Sequence, residues 1–312
     1  MRATFPAIVR RRLTAFVVLL LAASFAGAGE PLPVVASFSI LGDLAQRIGG
    51  DRVKVYTLVG AGADAHVYQP SPADARTLSH ARLAIVNGLG FEGWIERLIQ
   101  SSGYRGKLVV ASQGIAPLKR PAATARNGND PADIPDPHAW QDLTNARRYV
   151  DNIAAALDEA DPANKAIYRA NAARLNQEIS ALDREIRATF DALPAERRKV
   201  VSSHDAFAYF GNAYGIRFIA PVGVSTDAEP SAAGIGAIIR QIRREKITAM
   251  FVENIADPRL LERISRESGA RLGGTLYADA LAPAGKPADS YLGMMRHNAR
   301  TLAGALTTAP AN

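Results

Sequence analysis

Short apolar runs alternate with amphipathic segments along the first half of the chain. The apolar runs are rich in β-branched residues, and the segments between them repeat apolar positions at helical spacing. The predicted strands are residues 33–38, 53–59, 83–88 and 107–112, and the predicted helices are residues 39–50, 71–81 and 91–102. This alternation is typical of a parallel sheet with helices on both faces.

A second series with the same pattern begins near residue 198. Its predicted strands are residues 198–204, 217–222, 247–254 and 270–279, and helical segments follow them. The two series share the pattern but no repeat at the level of individual residues. The sequence therefore predicts an α/β protein with two α/β lobes, each built on a mainly parallel four-stranded sheet.

Two helical segments, residues 143–160 and 164–193, separate the two series. Apolar residues in the second segment recur at spacings of three, four and seven, which places them on one helical face. These residues are Tyr168, Leu175, Ile179, Leu182, Ile186 and Phe190. A helix of about 30 residues is roughly 45 Å long, which exceeds an ordinary connection within a lobe. The pattern predicts one long backbone helix that joins the lobes.

The predicted boundaries follow from these elements. Residues 29–143 form an N-terminal lobe, residues 144–194 a helical spine and residues 195–312 a C-terminal lobe. Within the first lobe, residues 113–137 contain five prolines and little apolar order. A stretch of this length without a periodic pattern predicts a long mobile loop, a kind of segment that often has a function.

Residues 1–28 are typical of a secretory signal peptide. Four arginines precede an apolar run of about 15 residues, which is short for a membrane span, although an uncleaved anchor is the alternative. The sequence Ala26-Gly27-Ala28 provides a cleavage site. The chain has no cysteine, so disulfides, thiolate metal ligands and a lipid anchor on a cysteine are not expected. We therefore expect a periplasmic protein.

Composition and charge narrow the function classes. A hydrophobic content of 48% and a charged content of 21% are typical of a globular protein. The net charge of +7 falls to +3 without the predicted signal peptide, which carries four arginines and no acidic residue. Because no basic run remains, we expect no nucleic-acid partner.

Four residues that can bind a metal are predicted near the carboxyl ends of strands, where open α/β sheets bind ligands. They are His66, His138, His204 and Asp279. Three imidazoles and one carboxylate suit Zn²⁺, and they also leave Mn²⁺, Co²⁺ and Ni²⁺ open. The spacings of 72, 66 and 75 residues contain no short zinc signature, so each histidine alone also fits a surface role. Asp279 alone also fits a helix cap.

The remaining candidates point to weaker alternatives. His80 is interpreted as structural or exposed, and His297 as a surface residue. A zinc hydrolase is a second interpretation of a three-histidine site, with Glu229 or Glu253 as the base. The chain lacks a recognisable nucleophile motif, and Asp279 would close the fourth position on the metal, so both glutamates are interpreted as structural.

Four motifs, taken in order, resemble the zinc and manganese solute-binding proteins of ABC transporters, the ZnuA/TroA-like family of cluster A-I. They are GAGADAHVYQPSP, DPHAWQDLTNA, SSHDAFAYFGNAYGI and DALAPAGKPADSYLGMMRHN. The resemblance covers the whole mature chain. It implies two α/β lobes joined by one long helix, with a metal between the lobes. It also implies that His66, His138, His204 and Asp279 are the metal ligands.

The resemblance implies a periplasmic high-affinity receptor that delivers Zn²⁺ to the membrane permease of an ABC importer, and not an enzyme. His204 favours zinc, because manganese-type relatives often carry glutamate there. A manganese or mixed zinc and manganese receptor, or an adhesin of the same family, is the alternative. Its support is that residues 113–137 lack the histidines found in this loop of many zinc-type relatives. We expect a monomer, and a periplasmic metallochaperone is an open partner.

Overall fold

A computed structural model describes residues 30–119 and 134–307. The predicted signal peptide lies outside the described residues, as do residues 120–133 of the predicted mobile loop. Among the described residues, none of the helices combines the length and the apolar character needed to cross a membrane.

The first half of the chain forms a parallel four-stranded sheet. Its strands are β1 (Leu32–Phe38), β2 (Val53–Val59), β3 (Leu83–Val86) and β4 (Lys107–Val110). They lie in the order β2-β1-β3-β4. Helices α1 (Ser39–Gly49), α2 (Pro72–Ser79) and α3 (Ile95–Ser102) connect them. The apolar run of β1 is buried from Val34 onward, as expected for a central strand covered on both faces.

Two helices follow the first sheet, α4 (Leu143–Ala160) and α5 (Lys165–Asp191). The side chain of Asp142 caps α4 by accepting a hydrogen bond from the Thr144 N–H. All six apolar positions predicted to share one face of the second helix are buried in α5. α5 packs against α4 and α1, and also against the helix that ends the described chain.

The second half repeats the topology of the first. Its strands are β5 (Lys199–Val201), β6 (Arg217–Ile219), β7 (Ala249–Glu253) and β8 (Arg271–Leu276). They pair in parallel in the order β6-β5-β7-β8. The helices are α6 (Ala208–Tyr214), α7 (Ala232–Glu245), α8 (Arg259–Ser268) and α9 (Tyr291–Thr307). The prediction of two α/β lobes with parallel four-stranded sheets and one long helix is confirmed.

Element ends depart from the predictions in a consistent way. The predicted strands 198–204 and 270–279 are too long at the carboxyl end, because β5 ends at Val201 and β8 at Leu276. The chain leaves both ladders just before a polar residue of the site described below. Predicted helix 91–102 begins later, at Ile95, because residues 91–94 form a turn that buries Phe91 and Trp94.

One large apolar core joins the two halves. It contains Val34 and Ile85 from the first sheet, Ile179 from α5, and Phe251 and Leu276 from the second sheet. A smaller cluster on the other face of the second sheet packs α7 and α8 against β7. Because the lobes share the larger core, separating them widely would expose apolar surface to water.

Candidate metal centre

Four polar residues converge between the carboxyl ends of the two sheets. His66 lies in the loop after β2, and His138 precedes a short 3₁₀ turn that leads into α4. His204 lies three residues after β5, and Asp279 three residues after β8. One nitrogen or oxygen atom from each lies within 4.8 Å of those from the other three.

The four side chains point at a common centre. The Nε2 atom of His66 is 3.3 Å from Nε2 of His138 and 3.3 Å from Asp279 Oδ2. Nε2 of His138 is 3.5 Å from Asp279 Oδ1, and Nε2 of His204 is 3.1 Å from Asp279 Oδ2. A tetrahedral shell with metal–ligand bonds of about 2.0–2.1 Å places its ligand atoms roughly 3.3 Å apart. The spacing therefore fits one small cation held by four protein atoms.

The same local turn presents the first two histidines. Asp64 accepts a hydrogen bond from the His66 backbone N–H at 2.9 Å, and Asp136 accepts one from the His138 backbone N–H at 2.9 Å. An aspartate two residues ahead of the bonded N–H forms an Asx turn, which replaces regular secondary structure locally. The repeated Asp-x-His pattern is the sequence signal for this geometry.

Tertiary contacts place the other two residues. Glu253, the last residue of β7, accepts a hydrogen bond from the His204 backbone N–H at 2.9 Å. The carbonyl of Ala278, directly before Asp279, accepts from Trp140 Nε1 at 3.0 Å and from Gln141 Nε2 at 2.8 Å. The segment that carries His138 therefore also holds the segment that carries Asp279.

Two of the histidines are backed by carboxylates. Nδ1 of His138 is 2.8 Å from Asp136 Oδ1, and Nδ1 of His204 contacts Glu253 Oε2. A carboxylate at Nδ1 keeps the proton on that nitrogen and leaves Nε2 free to bind a metal, and it also makes the imidazole a stronger ligand. Both carboxylates therefore select the nitrogen that faces the centre.

A buried polar network supports the segment around His138. Asn87, which follows β3, donates from Nδ2 to the Pro137 carbonyl at 2.9 Å and accepts a hydrogen bond from the Tyr149 hydroxyl. The Asn87 N–H and the Ser37 hydroxyl both donate to the fully buried Glu92, each at 2.6 Å. Burial raises the pKa of Glu92 although these hydrogen bonds oppose the shift. The network fixes the backbone that presents His138.

Charges within the site shift its titration strongly. Burial alone would lower the pKa of His138, but the charge of Asp279 and the hydrogen bond with Asp136 outweigh it and raise the pKa to about 9. Burial opposes the same shift at His204, where the carboxylates of Glu253 and Asp279 raise the pKa well above its usual value. The two imidazolium groups in turn hold the pKa of Asp279 well below its usual value despite burial. Protons on the histidines therefore balance the carboxylates when no metal is bound.

The centre is dry. The side chains of His138 and Asp279 are 0% exposed, that of His204 is 2% exposed and that of His66 is 4% exposed. Within the described residues, His204 Nε2 and both carboxylate oxygens of Asp279 are buried without a hydrogen-bond partner. Buried polar atoms without partners are costly, and a cation would satisfy all three.

Aromatic rings wall the first-lobe side. The Phe91 ring meets the His66 ring edge-on at 4.6 Å and the Trp140 ring at 4.9 Å. Trp140 also lies 5.3 Å from the His138 ring and is fully buried. Packed rings exclude water and restrict the imidazole rotamers, which keeps the ligand atoms in place.

The other sequence candidates lie elsewhere. His80 is exposed and its Nδ1 contacts the Arg76 carbonyl, whereas His297 is partly exposed on α9 beside the Thr275 carbonyl. Glu229 is exposed. Glu253, which the sequence indicates only as a structural residue, has a specific contact with His204. Sequence reasoning also misses Asp136, although its position two residues before His138 is a usable signal.

Comparison with known families decides which class this geometry belongs to. The model of the family "Zinc-uptake complex component A periplasmic" (ZnuA) matches residues 34–305, which include both sheets and all four residues of the centre. The chain belongs to the ZnuA family. The resemblance predicted from the four motifs is thereby confirmed.

Relatives and solved structures of the ZnuA family cover nearly the whole chain. The manganese-binding lipoprotein MntA of Halalkalibacterium halodurans is 34% identical over 280 residues, which are 89% of this chain and 90% of that protein. The periplasmic zinc-binding protein TroA of Treponema pallidum has a TM-score of 0.81 at 29% identity, with 90% of this chain and 100% of TroA covered. A manganese-bound periplasmic metal-binding protein of Candidatus Liberibacter asiaticus has a TM-score of 0.77 at 30% identity, covering 88% of this chain and 98% of that one.

Family membership fixes the class of function. ZnuA-family proteins are metal-binding receptors of ABC transporters, so the chain is a substrate-binding component and not an enzyme. The zinc hydrolase interpretation is therefore dropped. A substrate-binding component implies a membrane permease and an ATPase as partners.

Proposed function

We propose that this protein is a high-affinity zinc receptor, which holds Zn²⁺ with His66, His138, His204 and Asp279 and delivers it to the permease of an ABC importer. The observation that carries the proposal is the convergence of three Nε2 atoms and one carboxylate at spacings of 3.1–3.5 Å. A shell of three nitrogens and one oxygen is typical of Zn²⁺.

Manganese is the second candidate cargo. The manganese-binding relative MntA and the manganese-bound structure from Candidatus Liberibacter asiaticus favour it. The donor set argues against it, because Mn²⁺ suits carboxylate, carbonyl and water ligands more than imidazole. His204 is decisive in this argument, because a carboxylate in its place would give a shell of two nitrogens and two oxygens.

Delivery requires the metal to leave a dry centre. The lobes share an apolar core, so we propose that the metal leaves by local movement of the loops that carry His66 and His138. Lowering the barrier in this way keeps the helical core intact while a ligand is withdrawn.

The remaining parts of the proposal concern location and assembly. We propose a periplasmic protein whose mature chain begins at residue 29, with lobes at residues 29–143 and 195–312 and a spine at 144–194. It acts as a monomer that docks on its permease, and a periplasmic metallochaperone would be an optional metal donor.

Direct competition tests the choice of metal. Metal-free mature protein is offered equimolar Zn²⁺ and Mn²⁺, and the complex is weighed by native mass spectrometry. One zinc per chain, not displaced by excess manganese, is the expected result. Manganese occupancy under these conditions would transfer the proposal to a manganese receptor, and binding of neither metal would refute both. His204→Glu is the matched variant, and it should shift occupancy toward manganese.

A further inference from the structure

One carboxylate ties together two loops from opposite lobes beside the metal centre. Asp64 Oδ1 accepts the hydrogen bond from the His66 N–H at 2.9 Å, and its Oδ2 accepts one from the Thr226 hydroxyl at 2.6 Å. Thr226 lies between β6 and α7 in the second lobe, 162 residues away along the chain. The turn that presents His66 is therefore fastened directly to the second lobe.

A cavity lies at this junction. It has a volume of about 200 Å³, and its lining includes Asp64, Thr226 and the imidazole of His204. Its outer lining includes Glu229 and Asp257, both of which are exposed. Nε2 of His204 is buried without a hydrogen-bond partner in the described structure, so the cavity runs from the surface to an atom that can bind a cation.

Neighbouring parts of the centre are closed by packing. Trp140 and Phe91 cover the first-lobe side, and the Tyr291 hydroxyl donates to the Trp140 carbonyl at 2.6 Å beneath it. His138 and Asp279 have no exposed side-chain surface. The route that meets the fewest buried apolar groups is therefore the side of Asp64, Thr226 and His204.

The His66 loop has few other attachments. Trp94 Nε1 donates to the Ala65 carbonyl at 2.8 Å within the first lobe, and the Gly62 N–H donates to the Leu281 carbonyl at 2.9 Å across to the second lobe. Gly62 has a φ of +72°, a conformation that glycine adopts at little cost, and Val67 is 48% exposed. Of the two attachments to the second lobe, only the one from Thr226 lies at the cavity.

We infer that the hydrogen bond between Asp64 and Thr226 is a latch that holds His66 in its ligating position and sets the rate at which the metal leaves through the cavity beside His204. Asp64 and Thr226 are positioning residues, because they act on the metal through His66. The inference rests on the proposed function as a metal receptor. The acidic rim at Glu229 and Asp257 would attract the departing or arriving cation.

Substitution of Thr226 tests the latch without touching a ligand. Thr226→Val keeps the shape and removes the hydroxyl, whereas Thr226→Ser keeps the hydroxyl. The mature chain is loaded with Zn²⁺ and mixed with excess chelator, and the release rate is followed by stopped flow. Thr226→Val should release zinc about tenfold faster, the effect of losing one hydrogen bond to a charged group, and Thr226→Ser should release it near the wild-type rate.

Two further measurements distinguish an opened latch from a damaged metal centre or a weakened fold. The Co²⁺ absorption spectrum of Thr226→Val should match wild type, since all four ligands remain, and its metal-free melting temperature should change little. Equal release rates for all three proteins would overturn the latch, and so would equal acceleration by valine and serine. Failure of the wild-type protein to bind Zn²⁺ or Mn²⁺ would instead overturn the proposed function.

Discussion

At the scale of single residues, the centre depends on groups that do not face the metal position themselves. Asp136 and Glu253 each occupy Nδ1 of a histidine and so direct its Nε2 inward. Glu253 does more than Asp136 in one respect, because it spans from the end of β7 to the loop after β5 and bonds both the backbone and the ring of His204. It is therefore the sharper test of this arrangement.

Glu253→Gln should lower the zinc affinity by about 10–100-fold. The amide has one acceptor oxygen, so its NH₂ group must face either the His204 N–H or the ring N–H, and both are donors. Affinity is measured by competition with a chelator of known strength. Glu229→Gln, on the exposed rim, is the control and should bind as wild type does. Wild-type affinity in Glu253→Gln would refute the role given to this carboxylate.

The titration of the ligands predicts the direction of the pH dependence. The pKa of His138 is raised to about 9 and that of His204 is raised well above its usual value, so both carry a proton at neutral pH in the metal-free protein. Zinc binds the neutral imidazoles and must displace these protons, so its affinity falls as the pH falls. With two protons released, the fall can reach about 100-fold per pH unit. Constant affinity between pH 7.5 and pH 5 would exclude this site.

At the scale of elements, the sequence predicted what local periodicity encodes. All eight strands and the buried face of α5 followed from the spacing of apolar residues. The strand ends did not, because the residues just before His204 and Asp279 remain apolar or small while the chain leaves the ladder. Apolar character there reflects burial between the lobes, which a period of two along one strand does not distinguish from a sheet.

The candidate site was predictable to a similar extent. Its four central residues followed from strand ends and motifs, but the pairing of Glu253 with His204 and of Asp64 with Thr226 did not. These contacts join residues 49 and 162 positions apart, and they exist only because β7 lies next to β5 and the two lobes meet. Sequence spacing carries no signal for contacts that depend on the order of strands in a sheet.

Helix α5 should contribute to stability in proportion to what its buried face packs against. Ile179 is fully buried in the core that joins the lobes, so Ile179→Ala should lower the free energy of unfolding by about 2–5 kcal/mol through lost burial and a cavity. Urea unfolding of the metal-free protein measures the change. Gln177→Ala, on the exposed face of the same helix, should change it by less than about 0.5 kcal/mol. A small effect at Ile179 would show that α5 does not anchor the lobes.

At the scale of the whole molecule, the lobes are fastened at several buried points. Trp140 donates to the Ala278 carbonyl at 3.0 Å, Tyr291 donates to the Trp140 carbonyl, and the Leu281 N–H donates to the Ser39 hydroxyl at 2.9 Å. Breaking these hydrogen bonds together with the shared core would cost far more than moving one loop. Metal exchange is therefore expected to be local in space although it determines the function of the whole protein.

This arrangement of the lobes predicts that zinc changes local protection much more than overall size. The radius of gyration from small-angle X-ray scattering should stay within about 1 Å between the metal-free and zinc-loaded forms, because rigid partners typically shift by no more than this. Backbone amide exchange should slow on zinc binding in residues 60–70 around His66, and change little in β1, whose end is fully buried. A compaction of several Å with uniform slowing of exchange would mean that the lobes close as rigid bodies. In that case the shared core would have to separate in the metal-free form, and the barrier to release would lie there and not at the His66 loop.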